Sequence, residues 1–158
     1  MHALISTRLD YCNALYAGIP DSTIRPLQLA QNFAARILLH ESKFCYITPL
    51  LKKLHWLPVK ARIEYKNLLF VYKCLNNLAP DYLTSLISHY MPNRNLRSSN
   101  AEYLSVPRTN LNSMGDRAFS AYAPRAWNNL DNSVKNAASL AIFKKSLKTF
   151  LFSKYFTN

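Results

Sequence analysis

Only two glycines occur in the 158 residues of this chain, and that scarcity limits its possible folds more than any other feature. Glycine supplies the positive φ angles of tight hairpins and the backbone freedom of phosphate-cradling loops. A chain nearly without it is pushed toward helices joined by polar and proline-containing links. Apolar residues make up 49% of the sequence, enough for a real core rather than wholesale disorder. The length suits one domain, or one domain with a tail. The expected fold class is therefore mainly α: a small irregular helical domain with a long polar loop or short hairpin near 92–115.

Hydrophobic periodicity places the helices. Leu4, Ile5, Leu9, Cys12 and Leu15 recur at helical spacing as far as Gly18. Met1 runs into them without a capping lead-in, which gives the expectation of a piece cut from a longer chain. Asp21 or Ser22 is expected to cap a second helix with Leu27, Ala30, Ala34, Ile37 and Leu38 inward, its small residues permitting close packing. Thr48-Pro49 reads as a helix start, with a capping oxygen followed by a proline whose missing N–H is harmless there. Leu50, Leu51 and Leu54 then lead to a break, because Pro58 forces Leu57 out of helical angles. Trp56 is expected as a core plug rather than a base-stacking surface. The longest helix is expected over 59–77, with Val59, Ile63, Phe70, Val71, Cys74 and Leu75 inward and Lys60, Arg62, Lys66 and Lys73 on its flanks. Pro80-Asp81 starts a short helix with Leu83, Leu86, Ile87 and Tyr90 inward.

The composition shifts at Met91. Residues 1–91 read as a helical segment continuing an upstream domain, and 92–158 as a basic loop plus C-terminal helices packed on the same core. The loop sets Arg94, Arg97 and Arg108 among Asn, Ser and Thr, with Tyr103, Leu104, Val106 and Leu111 expected to pin it. Pro107 argues against a central strand. A packed loop of this length more often has a function than not. Gly115-Asp116 opens a turn into a small helix with Phe119, Ala123 and Trp127, which Pro124 bends or ends. A final helix from near Ser139 sets Leu140, Phe143, Leu147, Phe150 and Leu151 on one face, with Lys144, Lys145 and Lys148 nearby. That basic amphipathic pattern suits nucleic acid, an acidic membrane, or simply a helix closing the core.

Charge narrows the choice of partners. Lys and Arg number 20 against 8 Asp and Glu, a formal net charge of +12. Residues 92–158 hold ten of the basic and three of the acidic side chains. Such an excess attracts polyanions, above all a phosphate backbone, although it also serves solubility. Arginine forks match phosphate oxygens, so Arg94, Arg97, Arg108 and Arg125, with Lys144, Lys145 and Lys148, are the candidate RNA or DNA contacts. Such contacts give affinity without base choice. Arg117, beside Asp116, is expected to brace the fold, together with Trp56, Pro58, Phe119 and Trp127.

Catalytic chemistry finds no foothold. No two of the eight acidic residues lie within ten positions of each other, and there is no Asp-Asp box or Gly-rich phosphate loop. His40, Cys45 and His55, five and ten residues apart, do not match zinc-ligand spacing. Cys45, between Phe44 and Tyr46, reads as a buried small hydrophobe. No metal and no cofactor are expected. The three widely spaced cysteines, Cys12, Cys45 and Cys74, point to a reducing, intracellular compartment, nucleus or cytoplasm. No apolar run approaches the roughly 18–20 residues that span a bilayer.

Several stretches carry a resemblance. DYCNALYAGIP at 10–20, LQLAQNFAARIL at 27–38, ITPLLKKLHWLPVKARIEYK at 47–66, LFVYKCLNNLAPDYL at 69–83, VPRTNLNSMGDRAFSAYAPRAWNNL at 106–130 and FKKSLKTFLF at 143–152 together resemble non-LTR retrotransposon polyproteins of the jockey-like group. The resemblance implies a helical thumb-adjacent or accessory region downstream of the reverse-transcriptase core of an RNA-directed DNA polymerase. It carries none of that family's catalytic residues. His55 to Pro58, Pro107, Arg108, Gly115 to Phe119, Pro124 and Trp127 match as structural signatures. The expected function is a non-catalytic C-terminal fragment that helps bind RNA or DNA, with the upstream reverse-transcriptase domain as a further partner. The alternative is a protein-interaction or structural helical module, derived from such an element, without nucleic-acid binding.

Overall fold

The computed structural model of the protein describes residues 2–92, 103–111 and 113–156, and among them the chain is mainly helical. Eight α-helices occur among the described residues: α1 (His2–Asp10), α2 (Asp21–Leu39), α3 (Ile47–Lys53), α4 (Val59–Leu75), α5 (Asp81–Thr84), α6 (Phe119–Asn128), α7 (Asn132–Lys135) and α8 (Leu140–Phe156). Two compact units are present, one of residues 1–65 with 147–158 and one of residues 66–146. The composition shift at Met91 falls inside the second.

With so little glycine, the helix ends must find another residue for the left-handed position. His40, His55 and Asn77 take it, with φ of 53°, 53° and 54°. Each is followed by the backbone closure of a Schellman motif: Glu41 N to Arg36 O, Trp56 N to Leu51 O, and Leu78 N to Lys73 O, at 2.8–2.9 Å. Asparagine enters this region more readily than most residues. Histidine is a weak stop signal in a sequence, and it stands at two of these three helix ends.

In the first unit, Ala34 and Ala35 of α2 meet Leu51 and Trp56, with Ile5, Leu38, Ile47, Leu54 and Phe156 packed around them. The two alanines permit the close approach of α2 and α3. Trp56 is the expected core plug. The break at Pro58 strands two backbone groups, and α2 supplies both partners. Gln31, itself buried, donates to the Leu57 carbonyl at 2.9 Å, and the Gln28 side-chain oxygen accepts from Val59 N at 2.9 Å. Pro58 is half-buried and its carbonyl accepts from Arg62 N.

Several expectations for this unit are corrected. The first helix stops at Asp10, not Gly18. Cys12 turns left-handed and Asn13, buried, folds back to Asp10, so that Tyr11 and Leu15 point outward. On α2 the inward face is Ile24, Gln31, Ala34 and Ala35, while Ala30 and Ile37 are exposed. Pro20, not Asp21 or Ser22, precedes the first turn of α2, and Tyr46 rather than Thr48 precedes that of α3; neither start has a side-chain cap. Cys45 is half-buried, and its neighbours Phe44 and Tyr46 are exposed. On α4, Lys60 pairs with Asp21, and Arg62 grips both oxygens of Asp10. Those two flanking charges hold elements together.

The second unit is built on stacked rings. Tyr72 lies 4.2 Å from Phe143 in a stacked pair, Trp127 lies 6.0 Å from Phe143, and the Tyr72 hydroxyl donates to the Ala137 carbonyl at 2.8 Å. Phe119 is half-buried with its ring edge-on to Phe70. Pro124 does not end its helix: α6 runs on to Asn128 with the proline ring fully buried. Asp131 caps α7, a helix that hydrophobic periodicity does not mark, by accepting from Ser133 N. Leu86 and Tyr90, expected inward, are exposed.

Candidate nucleic-acid interface

The polar stretch after Met91 enters the described residues again at Tyr103, where a single extended residue anchors it. Leu104 is buried and forms an isolated antiparallel bridge with His89. Tyr90 N donates to Tyr103 O at 2.9 Å and Ser105 N to Ser88 O at 2.8 Å. On the other edge the Asn128 side chain behaves as a one-residue strand: Oδ1 accepts from Leu104 N at 2.8 Å and Nδ2 donates to Leu104 O at 2.9 Å. Of the long polar loop or short hairpin expected near 92–115, the described residues show this one bridge. Of the four residues expected to pin the loop, Leu104 alone is deeply buried; Tyr103, Val106 and Leu111 are exposed.

Beyond the bridge the chain is tied by a carboxylate. Asp116 Oδ1 accepts from the Thr109 hydroxyl and from Arg125 Nη2, the latter at 2.7 Å. The Arg125 guanidinium, then the Thr109 hydroxyl, hold the Asp116 carboxyl below the ordinary carboxylate range, and the same bond raises the guanidinium's own value. Gly115 is required here by space. A Cβ on it would stand 2.9 Å from the Thr109 Cβ, closer than such carbons approach. This knot sets the adjacent Arg108 in an exposed position.

Arg94 and Arg97 lie outside the described residues. Arg125 braces the knot through Asp116 while remaining partly exposed. Arg117 sits in a short 3-10 turn over Gly115–Arg117, half-buried, with its Nε buried and without a hydrogen-bond partner among the described residues. Lys144, Lys145 and Lys148 are all on α8, whose inward residues Phe143, Leu147 and Leu151 are fully buried; Lys144 and Lys148 are exposed and Lys145 lies beside them. The structure gives no contact that joins Arg108 to these lysines.

The two described acidic residues of this stretch make hydrogen bonds within the fold. Asp116 serves Thr109 and Arg125, and Asp131 serves Ser133. Arg108, Lys144 and Lys148 form no ion pair with any described carboxylate. Their charge therefore faces solvent unneutralised, where it attracts phosphate oxygens. A charge count does not reveal that consequence, because which cations are cancelled depends on tertiary pairing.

Among the described residues, no group of three or more His, Cys, Asp or Glu is placed to hold a metal ion. No described helix is long and apolar enough to cross a membrane. Burial pushes the Cys74 thiol and the Tyr65 hydroxyl up from their ordinary values, which makes both poorer nucleophiles near neutral pH. Comparison of the chain with models of protein families, with curated proteins and with solved structures finds no match.

Proposed function

We propose that the chain is a non-catalytic, helical, nucleic-acid-binding module of the kind expected downstream of a non-LTR retrotransposon reverse-transcriptase core. One observation carries the binding role. Arg108, Lys144 and Lys148 are exposed without carboxylate partners, whereas Asp116 and Asp131 are engaged within the fold. The assignment to the polymerase polyprotein rests on the sequence resemblance, and the contact is with the phosphate backbone of RNA or DNA rather than with base edges.

Binding of the full chain to labelled single-stranded RNA and duplex DNA across a salt series tests this. Affinity should fall linearly on a log–log plot of binding constant against salt. Replacing Lys144, Lys145 and Lys148 together by Gln should flatten the slope by about one for each phosphate no longer neutralised, without altering the helical circular-dichroism signal. No binding at low salt, or a slope unmoved by the triple substitution and by Arg108→Gln, overturns the reading.

A further inference from the structure

The outward face of α2 breaks the rule that a surface helix keeps its apolar side inward. Leu29, Phe33 and Ile37 are 56%, 66% and 41% exposed. Spaced four residues apart, they form one ridge about 12 Å long. At its C-terminal end Phe33 and Ile37 line a groove of about 340 Å³ with Arg36, His40, Glu41 and Lys43. Phe44 and Tyr46, just beyond, are also exposed. Aromatic and aliphatic side chains set in a concave, polar-rimmed patch mark a contact surface.

We infer that this face of α2 docks an amphipathic helix of another protein, one with apolar side chains at i and i+4 spacing and carboxylates along one edge. The α2 backbone is already hydrogen-bonded, so a partner must engage side chains, as one helix ridge does against another. Charge decides the partner's edge. Arg25 and Arg36 fall on the same side of the ridge at helical periodicity; Arg25 is exposed, Arg36 is half-buried and donates to the Cys45 carbonyl at 3.1 Å while keeping its charge, and Lys43 extends the basic rim at the groove, where Glu41 is the one acidic lining residue. A second copy fits poorly. Each chain has a net charge of +12, and an antiparallel pairing of two α2 helices sets both basic edges on the same side. A bilayer surface gives no use for a groove. The inference rests on α2 and the 40–46 turn alone, and does not depend on the proposed binding of nucleic acid.

The probe is a fluorescent helical peptide with leucines at i, i+4 and i+8 and glutamates along one edge, beside a twin with lysines at those edge positions. The full chain should bind the glutamate peptide, with salt weakening the complex, and should bind the lysine twin at least about tenfold less tightly. Phe33→Asp should weaken the first complex at least about tenfold while leaving helical content and thermal stability unchanged. Leu29→Asp provides a second disruption of the ridge. Binding of neither peptide, or of both equally, overturns the inference. So does a concentration-dependent dimer abolished by Phe33→Asp, or Phe33-dependent capture by anionic phospholipid vesicles in place of peptide binding.

Discussion

Helices α2 and α8 are close in length and differ in what they bury and expose. α8 obeys the amphipathic rule: Phe143, Leu147 and Leu151 are fully buried, and Lys144 and Lys148 face outward. α2 departs from it. A glutamine, Gln31, is among its most buried side chains, while Leu29, Phe33 and Ile37 face outward. The buried glutamine has a local cause. Pro58 breaks the chain between α3 and α4, leaving the Leu57 carbonyl and the Val59 amide to be satisfied, and polar side chains on α2 do that. The two helices thus teach that an inward face answers to what it meets. Phe143 of α8 meets the rings of Tyr72 and Trp127; α2 meets, in part, broken backbone.

That contrast can be broken by substitution. Phe143→Ala should have the largest effect, about 3–5 kcal/mol of lost stability by denaturant unfolding, since it removes a fully buried ring stacked on Tyr72. If the loss is below about 1 kcal/mol, the Phe143 ring does not hold the second unit's ring cluster together. Gln31→Leu sharpens the other side. Although it adds apolar character to an inward position, it should destabilise by about 1–3 kcal/mol, because the Leu57 carbonyl loses its buried donor. A stabilised Gln31→Leu variant would show that the carbonyl has another partner. Phe33→Gln, on the outward face of the same helix, should shift stability by no more than about 0.5 kcal/mol in either direction.

The smallest effect concerns the knot at Asp116. Its carboxyl is held below the ordinary range in the folded chain, first by Arg125 and then by Thr109. The stabilisation it brings is present above the unfolded-chain value and is lost as pH falls through the depressed folded value. The protection of amides near Thr109 and Arg125, once the intrinsic pH dependence of exchange is divided out, should therefore hold from neutrality down to the ordinary carboxylate range and fall as the pH drops through and below it. Asp116→Asn should remove that acid dependence, and an unchanged profile in the variant would show that the carboxylate does not tie the loop. The pair lies near solvent, so global stability should move little.

Much of the helical layout is legible in the sequence because periodicity and proline report on local backbone. The α8 face, the start of α4 after Pro58 and the Trp56 plug can all be read that way. α7 leaves almost no trace, because its start depends on one Asp131 side chain and only four helical residues. The inward face of α2 departs from its hydrophobic pattern because such a pattern cannot anticipate a buried glutamine that serves a backbone break 26 residues away in sequence. In the candidate interface, the basic side chains are countable but their pairing is not. Lys60 and Arg62 on α4 look no different in sequence from Lys144 and Lys148, yet the first two meet carboxylates and the latter two do not.

By itself, then, the sequence determined that a chain with two glycines and 49% apolar residues would be helical, basic and without carboxylates clustered along the chain, because backbone freedom and composition are properties of residues taken singly or by short spacing. Tertiary structure alone decided which cations stay uncancelled, which apolar side chains stay outside, and that His40, His55 and Asn77 would stand where glycine usually ends a helix. Those outcomes depend on partners distant in sequence, and a side chain's charge or surface counts toward function only after those partners have taken their share.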